Sequence, residues 1–208
     1  MKQTVSNYDR QVDMAAEIFL QYDQETLIRK FHLDADELWI RLTYLNGSYR
    51  ICRKDGHIQR LEQQWEDCRD FNTVLTIYDL LCYCQGEELP LLSGKWCTVG
   101  NFVVTGVTNT ETFTSQYADR FRGRTQILKK ACQALGGQLL PTMAGADVTC
   151  RIPVTEFFPV LLQYWDGDEE FSPRLILLWD RHTDKYLHFE TTFYLQGDLL
   201  SKLWKIAK

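Results

Sequence analysis

The sequence predicts an α+β fold, an antiparallel sheet packed by helices in a single domain of one or two lobes spanning residues 1–208. Three observations point there. Apolar residues recur at helical spacing near both ends of the chain. Two β-rich runs flank Asn46-Gly47, a pair suited to the positive φ angles of a tight hairpin. Further on, two almost wholly apolar runs are joined by a short acidic segment.

Taken in order, residues 7–32 place Val12, Ala15, Ala16, Phe19 and Leu20, then Leu27, Ile28 and Phe31, on helical faces. The spacing predicts one helix to about residue 21, capped by Ser6 or Asn7, and a second from about residue 23. Residues 37–53 predict the hairpin, and Asp55-Gly56 turns the chain toward Ile58 and Leu61 to make a three-stranded meander. Residues 70–85 read as a helix stopped at Gly86, and Pro90 and Gly94 break the loop that follows. Residues 96–104 read as a strand or extended loop. Thr110 opens a helix to about residue 122, and another covers 125–135, ending at Gly136-Gly137. Residues 146–153 alternate, residues 158–165 predict a central strand and residues 174–179 its neighbour. An amphipathic helix over 191–207 closes the chain.

Composition narrows the function classes. The 208 residues are 45% hydrophobic, 25% charged and 13% aromatic, which excludes disordered, collagen-like and coiled-coil classes. A chain this long buries roughly 70% of its unfolded surface without staples. A net charge of -5 argues against nucleic acid or an anionic membrane as the main partner. No apolar run approaches the roughly 18 residues of a membrane span, and the first residues hold no apolar signal core, so a cytoplasmic chain is expected. Seven cysteines, an odd number, fit reduced thiols. Cys82 and Cys84 stand two apart on a predicted helix and face different directions, so they are expected to be ordinary thiols and not a metal pair.

Several patterns then resemble a known family. The blocks Gly94-Lys95-Trp96, Tyr117-Ala118-Asp119-Arg120-Phe121, and Ala134-Leu135-Gly136-Gly137 with Ala146-Asp147 are similar to the bacterial and archaeal domain-of-unknown-function family 3786. The most specific block starts at Pro159, runs through Tyr164-Trp165-Asp166-Gly167-Asp168 to Pro173, and continues from Leu175 to Asp180. The resemblance covers about residues 15–205. It implies no particular reaction or cofactor. It does imply a setting in anaerobic iron–sulfur or corrinoid metabolism, although this chain has no cluster-binding cysteine run of its own.

Four residue groups are candidates for chemistry. Asp166, Asp168, Glu169 and Glu170 put four carboxylates in five residues, the oxygen-rich pattern that hard cations or acid–base work require, or the solvated tip of a hairpin. The spacing fits no EF-hand, and no metal ligand set is assigned. His182, close to Asp180 and Asp184, with His188 and Glu190 beyond, offers a base that a carboxylate could hold, but no nucleophile motif accompanies it. Gly94-Lys95-Trp96 lacks the upstream glycine of a phosphate loop, since Leu89 stands there; Lys95 remains a candidate anion contact and Trp96 a stacking face. Arg120, Arg122, Arg124, Lys129 and Lys130 make a basic stretch, either a solvated helix face or a surface for an acidic partner.

The expected pocket is walled by Trp96, Trp165 and Trp179 and rimmed by Asp166, Asp168, Glu169 and His182. Its leading use is a non-catalytic accessory domain that binds a small molecule or a protein partner. Two alternatives stand beside it: a metal-assisted hydrolase or transferase working through the acidic loop, and a protein–protein adaptor.

Overall fold

In a computed structural model, described over residues 6–101 and 111–208, the chain is mixed α+β, with six helices and two five-stranded antiparallel sheets. The described residues fall into two compact units, one within Met1–Leu91 and Lys185–Leu195, the other within Leu92–Asp184 and Gln196–Lys208.

The first unit starts with α1 (Asn7–Phe19), whose N-cap Ser6 accepts from the Asp9 N–H while the Asp9 side chain accepts from Ser6. After α2 (Gln24–Phe31) come β1 (Asp34–Ala35), β2 (Trp39–Tyr44), β3 (Gly47–Cys52), β4 (Ile58–Leu61) and β5 (Trp65–Asp67), paired in that order. The expected meander is therefore the centre of a larger sheet. Its outer strands are two and three residues long, too short for alternation to show in sequence. The hairpin forms, but its turn lies one residue earlier than Asn46-Gly47. Leu45 (φ 47°) and Asn46 (φ 61°) are the turn residues, and Gly47 opens the strand opposite Tyr44. Leucine tolerates that backbone because its side chain is buried. Next door, a Cβ at 47 would press on the Tyr49 ring at 3.0 Å, a contact that glycine avoids.

One face of this sheet buries Ile40, Tyr44, Tyr49, Ile51 and Ile58. On the helical side, α1 packs against α3 (Phe71–Cys82), whose N-cap Asp70 accepts from the Thr73 N–H. That helix ends at Cys82, several residues before Gly86, and the Lys30 ammonium holds the carbonyls of Cys84 and Gly86 at 2.5 and 2.7 Å. On the outward strand positions the Arg50 guanidinium lies between the Trp39 and Trp65 rings, 3.8 and 4.3 Å from their centroids, and donates twice to Gln59. Arg50→Lys keeps the charge but loses the flat fork that fills this slot. Urea denaturation is expected to show a loss of about 1 kcal/mol.

The second unit is organised around β9 (Pro159–Trp165), the predicted central strand, buried along six of its seven residues. Its sheet runs β6 (Trp96–Cys97), β10 (Arg174–Asp180), β9, β8 (Val148–Pro153) and β7 (Gln138–Leu139). Of the strand or extended loop expected over residues 96–104, the described residues hold β6 and a 3-10 turn at Val99–Asn101, and the Thr110 cap lies outside them. The helices α4 (Glu111–Arg120) and α5 (Thr125–Ala134) follow as the sequence predicts. After α5, Gly136 takes φ 77°. The closing helix α6 (Phe189–Ala207) contributes residues 189–195 to the first unit and 196–207 to the second. Phe121, Leu128, Cys132, Cys150, Leu162, Leu199 and Leu203 are all fully buried. The seven cysteines form no disulfide among themselves.

Candidate functional site

The sheet register decides which of the sequence-predicted pocket residues meet. In the β9–β10 hairpin Trp165 pairs with Arg174, the first residue of β10, whereas Trp96 pairs with Asp180, the last. Six steps at about 3.3 Å each separate the two ends by about 20 Å. The acidic loop therefore sits at one end of β10, and Lys95, Trp96 and His182 sit at the other. A single pocket rimmed by Asp168 and His182 together is not what the strands build. Trp179 is also a poor wall for an open pocket, because it is 1% exposed within the core.

At the hairpin end two of the four carboxylates, Asp166 and Asp168, accept from protein donors. Asp166 accepts the Gly123 N–H at 2.9 and 3.1 Å and the Tyr164 hydroxyl at 3.1 Å. Asp168 accepts the N–H groups of Phe171 (2.7 Å) and Glu170 (2.8 Å), and these bonds hold its carboxyl below the usual range. Glu169 and Glu170 are exposed. The Trp165 indole N–H donates to the Ala144 carbonyl, and the Arg174 guanidinium stands 5.5 Å from its ring centroid.

At the other end the organising group is Asp180, 1% exposed. Its carboxylate accepts the backbone N–H groups of Gly94 (2.8 Å), Ser93 (2.9 Å) and His182 (2.9 Å). Burial pushes this carboxyl up, and the His182, Ser93 and Gly94 donors together outweigh it, so the net direction is down. The Arg181 N–H donates to the Lys95 carbonyl at 2.9 Å. Lys95, Trp96 and His182 are thus positioned by a loop folded onto one carboxylate.

The first unit contains a cleft that the sequence reading did not find. It lies along α1 and α3 and has a volume of about 240 Å³. Ala15, Ile18 and Tyr22 line it from one side, and Leu75, Tyr78, Asp79, Cys82 and Tyr83 from the other. His188 and Thr191 complete the lining. Ala15 and Ile18 of α1, and Leu75, Tyr78, Asp79 and Cys82 of α3, stand at three- and four-residue spacing, the pattern that puts side chains on one face. Ile18 in α1 and Tyr22 in the turn after it are 47% and 41% exposed, so this apolar stripe extends beyond what its packing covers.

Asp79 and His188 give the cleft its polar feature. The Asp79 carboxylate accepts the His188 backbone N–H at 2.8 Å and faces Nδ1 at 2.6 Å. A carboxylate only accepts, so Nδ1 carries the hydrogen, and Nε2 of the neutral ring is left with its lone pair. Tyr83 packs on the imidazole with a 3.7 Å centroid separation. The Asp79 side chain is 15% exposed and that of His188 is 57% exposed, so the pair is anchored from inside and open outward. Burial and then the Asp79 charge push the Cys82 thiol up to about 12, which keeps it protonated at neutral pH. Sequence reasoning noted His188, but its partner lies 109 residues away.

Among the described residues no group of three or more His, Cys, Asp or Glu side chains is placed to hold a metal ion. Nor is any described helix long and apolar enough to cross a membrane. No curated protein and no solved structure matches the chain. The family model does match: the family described as domain of unknown function DUF3786 covers residues 23–202, and the chain belongs to that family.

Proposed function

We propose that this chain is a non-catalytic binding domain that holds a small, largely apolar, flat molecule in the cleft beside Asp79 and His188. The observation that carries this reading is an apolar cleft with one fixed polar anchor, the arrangement that small-molecule sites share. The volume of about 240 Å³ lies just below the roughly 300–1,000 Å³ of drug-sized sites, which suits one or two fused rings better than a corrinoid or a dinucleotide. His188 Nε2 would accept a hydrogen bond from an O–H or N–H on the ligand, while Tyr22 and Ile18 close over its edge. The protonated Cys82 thiol supplies no nucleophile, which favours binding over covalent chemistry. A cytoplasmic setting goes with this reading, since seven cysteines without a disulfide suit a reducing compartment.

The test is a thermal-shift screen with indole, phenols and other one- and two-ring aromatics bearing an O–H or N–H. A compound at 100 times its Kd should stabilise the protein by about 2.7 kcal/mol. Ala15→Trp, which fills the cleft from a partly exposed position, should abolish the shift, and His188→Ala should weaken it. A flat screen, or hits that survive Ala15→Trp in a folded variant, would overturn the proposal.

A further inference from the structure

Two unsatisfied surfaces of opposite charge lie next to each other on the second unit. One is a collar of cations around Trp204. Arg124, Arg120 and Lys208 stand 5.3, 5.4 and 5.8 Å from its ring centroid. Arg124 donates to the carbonyls of Ala207 and Arg120, and Arg122 pairs with Asp119 at 3.4 Å. Among the described residues Arg120, Arg124 and Lys208 form no ion pair.

The other surface is the tip of the β9–β10 hairpin. Glu169 and Glu170 are exposed and form no ion pair among the described residues, and Phe171 beside them is 69% exposed. The base of this hairpin is tied to the collar's own segment, because Asp166 accepts from the N–H of Gly123, which adjoins Arg124. The hairpin that carries the acidic tip is thus anchored beside the basic collar, and among the described residues tip and collar form no ion pair with each other.

We propose that a second copy of this chain docks on this face, each protomer laying its Glu169, Glu170 and Phe171 on the Trp204 collar of the other. Adjacent complementary patches on one surface are what a two-fold contact requires, since each pairing then occurs twice. Phe171 and Trp204 supply the aromatic anchors, and the Arg120 and Lys208 charges meet the glutamates around them. The contact is independent of the cleft in the first unit, so either reading can fail alone.

Sedimentation equilibrium of the full chain tests it. Wild type should dimerise at low salt and dissociate at about 0.5 M NaCl, where the screening length falls to about 4 Å. Arg120→Glu with Lys208→Glu, and separately Glu169→Lys with Glu170→Lys, should each weaken the dimer at least about tenfold. Mixing the two variants should restore it, because the mixed dimer sets an acidic tip against a basic collar and a basic tip against an acidic collar. Circular dichroism would verify that each variant is folded. A wild type monomeric at every concentration, a dimer indifferent to both reversals, or a mixture that fails to associate would each overturn the proposal. So would a monomer that binds a fluorescein-labelled oligo-glutamate peptide through the collar, which would give the surface to a foreign acidic segment.

Discussion

Asp180→Ala is expected to destabilise the second unit by about 3–5 kcal/mol, measured as a drop in the urea midpoint. The carboxylate is buried and satisfies the N–H groups of Ser93, Gly94 and His182 at once. Its removal orphans several donors together, and each buried orphan costs about 1–3 kcal/mol. Asp180→Asn keeps one acceptor oxygen and should recover part of the loss. The same group gives a pH dependence whose sign is fixed. A carboxyl held below its ordinary value stabilises the fold above the unfolded-state pKa of about 3.9, and that contribution is lost as pH falls through the lower folded-state value. Wild type should therefore lose stability on acidification below about pH 4 more steeply than Asp180→Asn. Equal slopes would show that the charge contributes nothing, and an undisturbed Asp180→Ala midpoint would sink the argument altogether.

What was legible in the sequence is what local physics controls. Helical stripes placed α1, α2, α3 and α5 within a few residues, the glycine after α5 marked its end, and the apolar run at 158–165 marked the central strand. The two outermost strands of the first sheet were not legible, because Asp34–Ala35 and Trp65–Asp67 become strands only by pairing with longer neighbours. The Asn46-Gly47 signal found the hairpin and missed its register by one. Leu45 accepts a positive φ to bury its side chain, a tertiary gain that no turn preference carries. Site residues fared worse for the same reason. Clustering along the chain grouped Trp165, Asp166, Asp168 and Glu169, which do lie together at one end of β10, but that seven-residue strand holds them apart from Trp96 and His182. The Asp79–His188 pair has no sequence signature at all.

Gly56 offers the second large effect, and it bears on the proposed cleft. Gly56 has φ 77°, and a Cβ built there would stand 2.8 Å from the Ala16 carbonyl oxygen and 3.2 Å from the Ala16 Cβ. Those atoms belong to α1, so the clash cannot be relieved by turning a flexible side chain. Tyr78, which lines the cleft, donates its hydroxyl to the Gly56 carbonyl and packs 5.5 Å from Phe19. Gly56→Ala is expected to cost about 3 kcal/mol, from left-handed backbone strain together with displacement of α1. Gly86→Ala is the internal control, because Gly86 has φ 78° in the same unit but a Cβ there meets nothing nearer than 3.7 Å. That variant should lose only about 1 kcal/mol, so the difference isolates the contact between the turn and α1. If α1 moves, Ile18 and Tyr22 move with it, and Gly56→Ala should weaken aromatic ligands under conditions where it remains folded. Equal losses for the two glycines would mean that α1 is not held by this turn, and unchanged ligand affinity would mean that the cleft does not depend on the helix position seen here.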